Sequence, residues 1–323
     1  MKIVIAGGTG QVGGILTRAL GGSGHDIVVL SRVRAAQSKG AWKVVHWDGE
    51  TAGGWVSELE GADAVINLAG RSVNCRYNAA NRAAILESRV RSTRAIAMAI
   101  AAAALPPRVW LQAGTATIYA HRYDAANDEK TGFLGGDEPG APDTWRFSID
   151  VATAWERAAR DWAPSGTRLV ILRSAMTMSP DSGGIFDTFL RLVRFGLGGR
   201  AGDGLQYVSW IHERDFARAV CWLISHEELS GPVNVASPNP LPNASFMSIL
   251  RSAWGIPVGL PATTWMVELG TRLMRTESEL ALKSRRVVPA RLLESGFTFE
   301  FPDWNSAARD LCQRWRRAHS AAA

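Results

Sequence analysis

Three residue types on which chemistry often rests are scarce in this 323-residue chain. It has only three cysteines (Cys75, Cys221 and Cys312), odd in number and widely spaced. They offer neither a disulfide framework nor metal-ligand spacing, and they fit a reducing compartment. Tyrosine occurs four times, at Tyr77, Tyr119, Tyr123 and Tyr207, and lysine five times, so 31 of the 36 basic residues are arginine. The six histidines are isolated, and none pairs at i, i+4 around an acid, so no metal site is expected. No apolar run approaches the roughly 20 residues that a membrane span needs. Met1–Ala6 is too short for a signal-peptide core and runs straight into glycines. A cytoplasmic protein with no membrane partner is the expectation.

What is present is an ordinary globular balance, with 46% hydrophobic and 20% charged residues and a net charge of +6. The length fits two lobes or one large α/β domain. The arginines are spread along the chain and form no basic tail. That argues against a nucleic-acid partner, whose binding would be steeply salt-dependent, and towards an anionic small ligand.

Strand-like and helix-like segments alternate through the first half. Lys2–Ala6, Ile27–Leu30, Lys43–Trp47, Ala64–Leu68, Val109–Gln112 and Arg168–Leu172 read as buried strands. Helices are expected at Gln11–Leu20, from Asn78 to about Ala104 where Pro106-Pro107 stops it, and at Asp150–Trp162. This order predicts an α/β fold with a doubly wound parallel sheet. The dinucleotide-binding domain should span 1–175 and be completed by about 208–237, with the helix Asp215–Ser225 and the strand Val233–Ala236. A smaller lobe should comprise 176–207 and 238–323. In the last helix Trp304, Ala307, Ala308, Leu311 and Trp315 share one face, which should pack, leaving Arg309, Arg314, Arg316 and Arg317 to solvent.

The sharpest motif is Gly7-Gly8-Thr9-Gly10-Gln11-Val12-Gly13, between the first strand and the first helix. In such a motif Gly7 permits the tight turn, Gly10 lets the backbone approach a pyrophosphate, and Gly13 allows close helix–strand packing. The helix N-terminus adds amides and a favourable dipole. Cofactor choice falls at the end of the second strand, where an acid would accept from the ribose hydroxyl. Here the chain reads Leu30-Ser31-Arg32-Val33-Arg34. With no carboxylate and a guanidinium available for a 2′-phosphate, NADP(H) is the expected cofactor.

The glycine motif, Asn67-Leu68-Ala69-Gly70, and Thr115-Ala116-Thr117-Ile118-Tyr119 together resemble an extended short-chain dehydrogenase/reductase. Three further segments resemble, more narrowly, the "epimerase family" proteins of that superfamily, which end in a small domain of unknown function. These are Glu87–Thr93, the stretch from Gly196-Leu197-Gly198-Gly199 to Ser209-Trp210-Ile211-His212, and Val288-Pro289 with Gly296-Phe297.

The resemblance implies that Gly7, Thr9, Gly10, Gln11, Val12, Gly13, Ser31, Arg32, Leu68, Ala69 and Gly70 surround the cofactor, Gly70 passing close to its ribose. It also implies that Thr115 orients the substrate. The superfamily's Tyr-x-x-x-Lys acid/base pair is missing: Ser148 and Ala152 fill those two slots, and no tyrosine is followed four residues on by lysine. Tyr119, Tyr123 and His121 are the nearest candidates for its proton, although Tyr119 matches a tyrosine whose usual role is structural. His212 is expected to be a packing residue, with Asp215 capping the next helix.

The expected activity is that of an NADP(H)-dependent oxidoreductase or sugar-nucleotide-type epimerase acting on a small carbonyl or hydroxyl substrate, in a possible homodimer. The rival is a catalytically idle NADP(H) sensor or scaffold.

Overall fold

The computed structural model describes residues 1–33, 42–139, 141–273 and 276–320. Arg34, one of the two arginines after the second strand, lies outside them. The elements run β1 (Lys2–Ala6), α1 (Gln11–Gly21), β2 (Asp26–Ser31), β3 (Lys43–His46), β4 (Ala64–Asn67), α2 (Ala79–Ala102), β5 (Val109–Thr115), α3 (Asp143–Asp161), β6 (Arg168–Ser174) and β7 (Met176–Met178). They continue with α4 (Ile185–Arg194), β8 (Tyr207–Val208), β9 (Trp210–His212), α5 (Glu213–Ser225), β10 (Gly231–Val235), β11 (Leu241–Pro242) and α6 (Asn243–Trp254). Helices α7 (Thr264–Leu273), α8 (Glu279–Leu282), α9 (Ala290–Glu294) and α10 (Trp304–Ser320) complete the chain.

Seven strands form one sheet in the order β10-β6-β5-β4-β1-β2-β3, and every pairing in it is parallel. Parallel strands are buried on both faces, which explains their near-continuous apolar runs. In β1 the alternation divides the core. Ile3 and Ile5 join Leu16 and Leu20 of α1 and Phe216 and Val220 of α5 on one face. Val4 and Ala6 join Ile96 and Ile100 of α2 and Ala159 of α3 on the other. This is the doubly wound arrangement expected from the alternating segments.

A third apolar cluster lies outside the sheet, where α4, α6 and α10 contribute Phe186, Leu190, Phe246, Leu250, Leu311 and Trp315. The predicted apolar face of α10 is buried as expected. Its arginines are less uniform: Arg314 pairs with Glu213 and Asp310, and Arg316 lies 4.2 Å over Trp254.

Helix α3 begins at Asp143, two turns earlier than its sequence predicts, directly after Pro142. Tertiary packing supplies the difference: Phe147 and Val151 close over Tyr77 and Ile85, overriding the weak helix propensity of aromatic and β-branched residues.

Candidate active site

The turn after β1 is built for close approach. Gly7 has φ +77° and donates its N–H to Leu30 O at 3.1 Å. A Cβ on Gly7 would stand 3.0 Å from Ala69 N, and one on Gly13 would stand 2.6 Å from Gly8 Cα and also strike Gly7 O. The motif therefore holds three backbone segments in contact. Among the described residues no side chain caps α1, and its first turn carries no acid, so its leading N–H groups and positive dipole end are free for an anion. Thr9 Oγ1 and Ser31 Oγ lie 3.5 Å apart, and Arg32 is exposed beside them.

Buried Asn67 shapes the turn after β4, donating to Gln112 Oε1 at 2.9 Å and accepting from Ala69 N at 3.1 Å. The Glu87–Thr93 segment holds that turn from the other side. Ser88 Oγ accepts from Arg71 N, Arg89 Nη1 donates to Arg71 O, and Thr93 Oγ1 accepts from Trp155 Nε1. A Cβ on Gly70 would meet the Arg89 side chain at 3.3 Å. The small residue at this position thus makes room for a guanidinium, where the resemblance placed a cofactor ribose.

A crevice of about 340 Å³ opens beside these turns. Gln11 and Val12 of α1, Leu68, Thr115 at the end of β5 and Thr117 just after it line it, and so do Phe147, Ser148 and Ala152 of α3. Tyr77, Arg89, Glu279 and Arg285 complete its polar wall. Thr115 does face the crevice, while its Oγ1 also accepts from Thr117 N at 3.2 Å.

Tyr119 does not reach the crevice. It is 2% exposed, donates to Asn234 Oδ1 at 2.9 Å and accepts from Arg173 Nη1 at 2.8 Å. Arg173 is in turn paired with Glu156 at 2.8 Å. Both hydrogen-bonding capacities of the phenol are thus used inside the fold, contrary to the expectation that it acts as a catalyst. His121 is likewise occupied, its Nδ1 accepting from Ser284 N at 2.7 Å.

A buried charged cluster missed by the sequence reading stands at the missing pair's slots. Ser148 donates to Glu279 Oε2. Glu279 Oε1 is 3.8 Å from Lys283 Nζ and 3.6 Å from Arg285 Nη2. Glu279 Oε1 and Arg285 Nη2 are buried without a hydrogen-bond partner among the described residues. Burial raises the Glu279 carboxyl above its ordinary range, against the pull of Arg285 and Lys283. Burial, helped by Arg285, brings Lys283 down to about 8. Lys283 is one of only five lysines in an arginine-rich chain, and that rarity was the available signal.

The Ser-Trp-Ile-His segment is the seam that attaches the C-terminal part. Ser209 Oγ donates to Arg285 O at 2.7 Å and accepts from Val287 N at 2.9 Å. Trp210 packs edge-on to Trp304. His212 is fully buried and stacked on Phe301 at 3.9 Å. It caps α5 itself, Nδ1 accepting from Arg214 N, with Nε2 3.0 Å from Asp310 Oδ2. Asp215, the expected cap, instead accepts from Glu300 N and Phe301 N, both at 2.8 Å.

A seven-stranded doubly wound parallel sheet, with a glycine turn leading into an uncapped helix N-terminus, defines a dinucleotide-binding protein of the extended short-chain dehydrogenase/reductase type. The chain belongs to the NAD dependent epimerase/dehydratase family, whose model matches residues 3–236; a domain of unknown function (DUF1731) matches residues 262–311. It is 32% identical to epimerase family protein SDR39U1 of Bos taurus over 315 residues, covering 96% of this chain and 99% of that protein. The crystal structure of human epimerase family protein SDR39U1 (isoform 2) with NADPH superposes with a TM-score of 0.83 at 29% identity, covering 97% of this chain and 99% of that one. The fold is shared with UDP-N-acetylglucosamine 4-epimerase from Bacillus cereus, at a TM-score of 0.73 and 17% identity over 98% of this chain and 96% of that one. No helix among the described residues is long and apolar enough to cross a membrane.

Proposed function

We propose that this protein is a cytoplasmic NADP(H)-dependent oxidoreductase acting on a small carbonyl or hydroxyl compound in the crevice beside the glycine turn. The observation that carries the reading is that one crevice is lined both by Gln11 and Val12 of the glycine motif and by half-buried Ser148 with the buried charged groups Glu279 and Arg285.

The residues present suit such a cofactor. Gly7, Gly10 and Gly13, with the N-terminus of α1, would hold the pyrophosphate; Ser31 and Arg32 would hold the 2′-phosphate; and Leu68 and Ala69 would flank the adjoining ribose. The crystallised NADPH complex of the human relative supports the phosphorylated form. When bound, a nicotinamide dinucleotide supplies or accepts a hydride. The protein's own groups bind and orient the substrate and handle its proton. Thr115 is set to hydrogen-bond the substrate oxygen, and the buried wall excludes water. At about 340 Å³ the crevice lies within the range of small-ligand pockets.

The test is NADPH oxidation, followed by absorbance, with a panel of aldehydes, ketones and dicarbonyls. Turnover that Thr115→Val reduces agrees with the reading. Tight NADPH binding without turnover of any compound would favour the idle sensor, the reading to which the missing Tyr-x-x-x-Lys pair points.

A further inference from the structure

One chemically competent side chain of the crevice is left without a role by the reading above. Tyr77 lies in the loop between β4 and α2 and is only 9% exposed, yet it lines the crevice. Its main chain is held from two sides: its N–H donates to Glu277 Oε1 at 2.7 Å, and its carbonyl accepts from Arg82 Nε at 2.9 Å. Its ring meets Phe147 edge-on at 5.0 Å. The side chain is therefore fixed in direction, and it shares the crevice wall with Ser148, the residue in the slot of the missing α3 tyrosine.

The charged groups around Tyr77 come from both parts of the chain. Glu277, Glu279 and Arg285 approach from the C-terminal segment, with Lys283 behind Glu279, and Arg89 and Arg82 approach from α2. Tyr119 shows the contrast, since its phenol is spent on Asn234 and Arg173.

We propose that Tyr77 is the acid/base residue of this crevice, a phenol delivered from the β4–α2 loop in place of the one α3 lacks, with Ser148 and the Glu279–Arg285 pair as its positioning groups. The proposal rests on the oxidoreductase reading and adds the identity of its proton donor. In carbonyl reduction the substrate carbon gains a hydride, with its electron pair, from the reduced nicotinamide dinucleotide. The substrate oxygen gains the Tyr77 proton, so the C=O π bond is replaced by one C–H and one O–H bond. The phenolate is stabilised by Arg285 and Arg89 and regains a proton from solvent by way of the Ser148 hydroxyl. Burial and the Glu279 charge hold the Tyr77 phenol above its ordinary value, while Ser148 and Arg285 pull the other way. At neutral pH it is therefore protonated, as a donor must be.

Tyr77→Phe tests this, because it keeps the ring and its packing. The probes are NADPH with diacetyl and with phenanthrenequinone as carbonyl substrates. The expected result is a fall in kcat of about a hundredfold or more, with NADPH affinity by calorimetry within about twofold of wild type. The alkaline limb of the rate should move to lower pH in Glu279→Gln, because a charge that raises the phenol has gone. A merely structural tyrosine would not transmit that shift. Near-ultraviolet tyrosinate titration gives a readout without turnover: the tyrosine lost from the curve in Tyr77→Phe should ionise at lower pH in Glu279→Gln. Wild-type turnover and an unchanged pH limb in Tyr77→Phe would overturn the proposal and leave the oxidoreductase reading standing. Failure of the wild-type protein to bind NADPH, or to reduce either probe with NADPH bound, would overturn both.

Discussion

Tyr119→Phe separates a structural tyrosine from a catalytic one, and its cost follows from the network around it. The substitution removes a hydrogen bond to Asn234 Oδ1 and another from the Arg173 guanidinium, both buried. A neutral hydrogen bond is worth about 1 kcal/mol and one from a charged donor about 1.5–3 kcal/mol, so the loss should be about 2–4 kcal/mol. Arg173 keeps its bond to Glu156 at 2.8 Å, and Asn234 keeps its bond to Val288 O at 3.0 Å, so the network is weakened without collapsing. With an unfolding entropy of about 2 cal/mol/K per residue, this corresponds to a fall in Tm of about 3–6 °C for a chain of this length. Differential scanning calorimetry measures it directly. NADPH affinity and turnover should stay within about twofold of wild type. A Tm within about 1 °C of wild type, together with lost turnover, would refute the argument and return Tyr119 to the chemistry.

Gly13→Ala should lose at least about tenfold in NADPH affinity and about 1–3 kcal/mol in stability, because the new Cβ lies 2.6 Å from Gly8 Cα in a turn that has no room to yield; calorimetric titration and thermal unfolding check the two effects. His212 is held down to about 4 by burial, against the pull of Asp310. The unfolded chain takes up a proton near 6.5 and the folded one near 4, so stability is lost as pH falls through that window, by up to about 1.4 kcal/mol per pH unit. Denaturant titrations from pH 7 to about pH 4 should show this limb in wild type and a shallower one in His212→Gln. Ser209→Ala leaves Arg285 O and Val287 N without their shared partner. It should destabilise by about 1–3 kcal/mol and speed limited proteolysis around residues 276–290.

Most of the scaffold was legible because it is written in local patterns. The apolar runs of β1, β2, β4 and β6, the glycine turn at residue 7 and the Pro106-Pro107 stop are properties of a few consecutive residues. The chemistry was harder to read because it is assembled from distant ones. Tyr77, Ser148 and the 279–285 segment meet only after the C-terminal part docks through Ser209, His212 and Asp215. A search for tyrosine and lysine four residues apart has no access to such a meeting. The same search favoured Tyr119 for its nearness to Thr115 along the chain, whereas the fold turns its phenol away towards Arg173 and Asn234. Asp215 was read as a local cap and His212 as a packing residue; His212 packs but also supplies the cap, while the carboxylate of Asp215 was needed 85 residues away, at Glu300 N.

The glycine turn is proposed to hold a phosphorylated nicotinamide dinucleotide. Calorimetric titration of the protein with NADPH, NADP⁺, NADH and NAD⁺, repeated on Arg32→Ala, tests it most directly. The phosphorylated forms should bind at least about tenfold more tightly, a gap of about 1.4 kcal/mol, and Arg32→Ala should remove the preference while leaving NADH binding unchanged. Absence of binding by all four dinucleotides would contradict it.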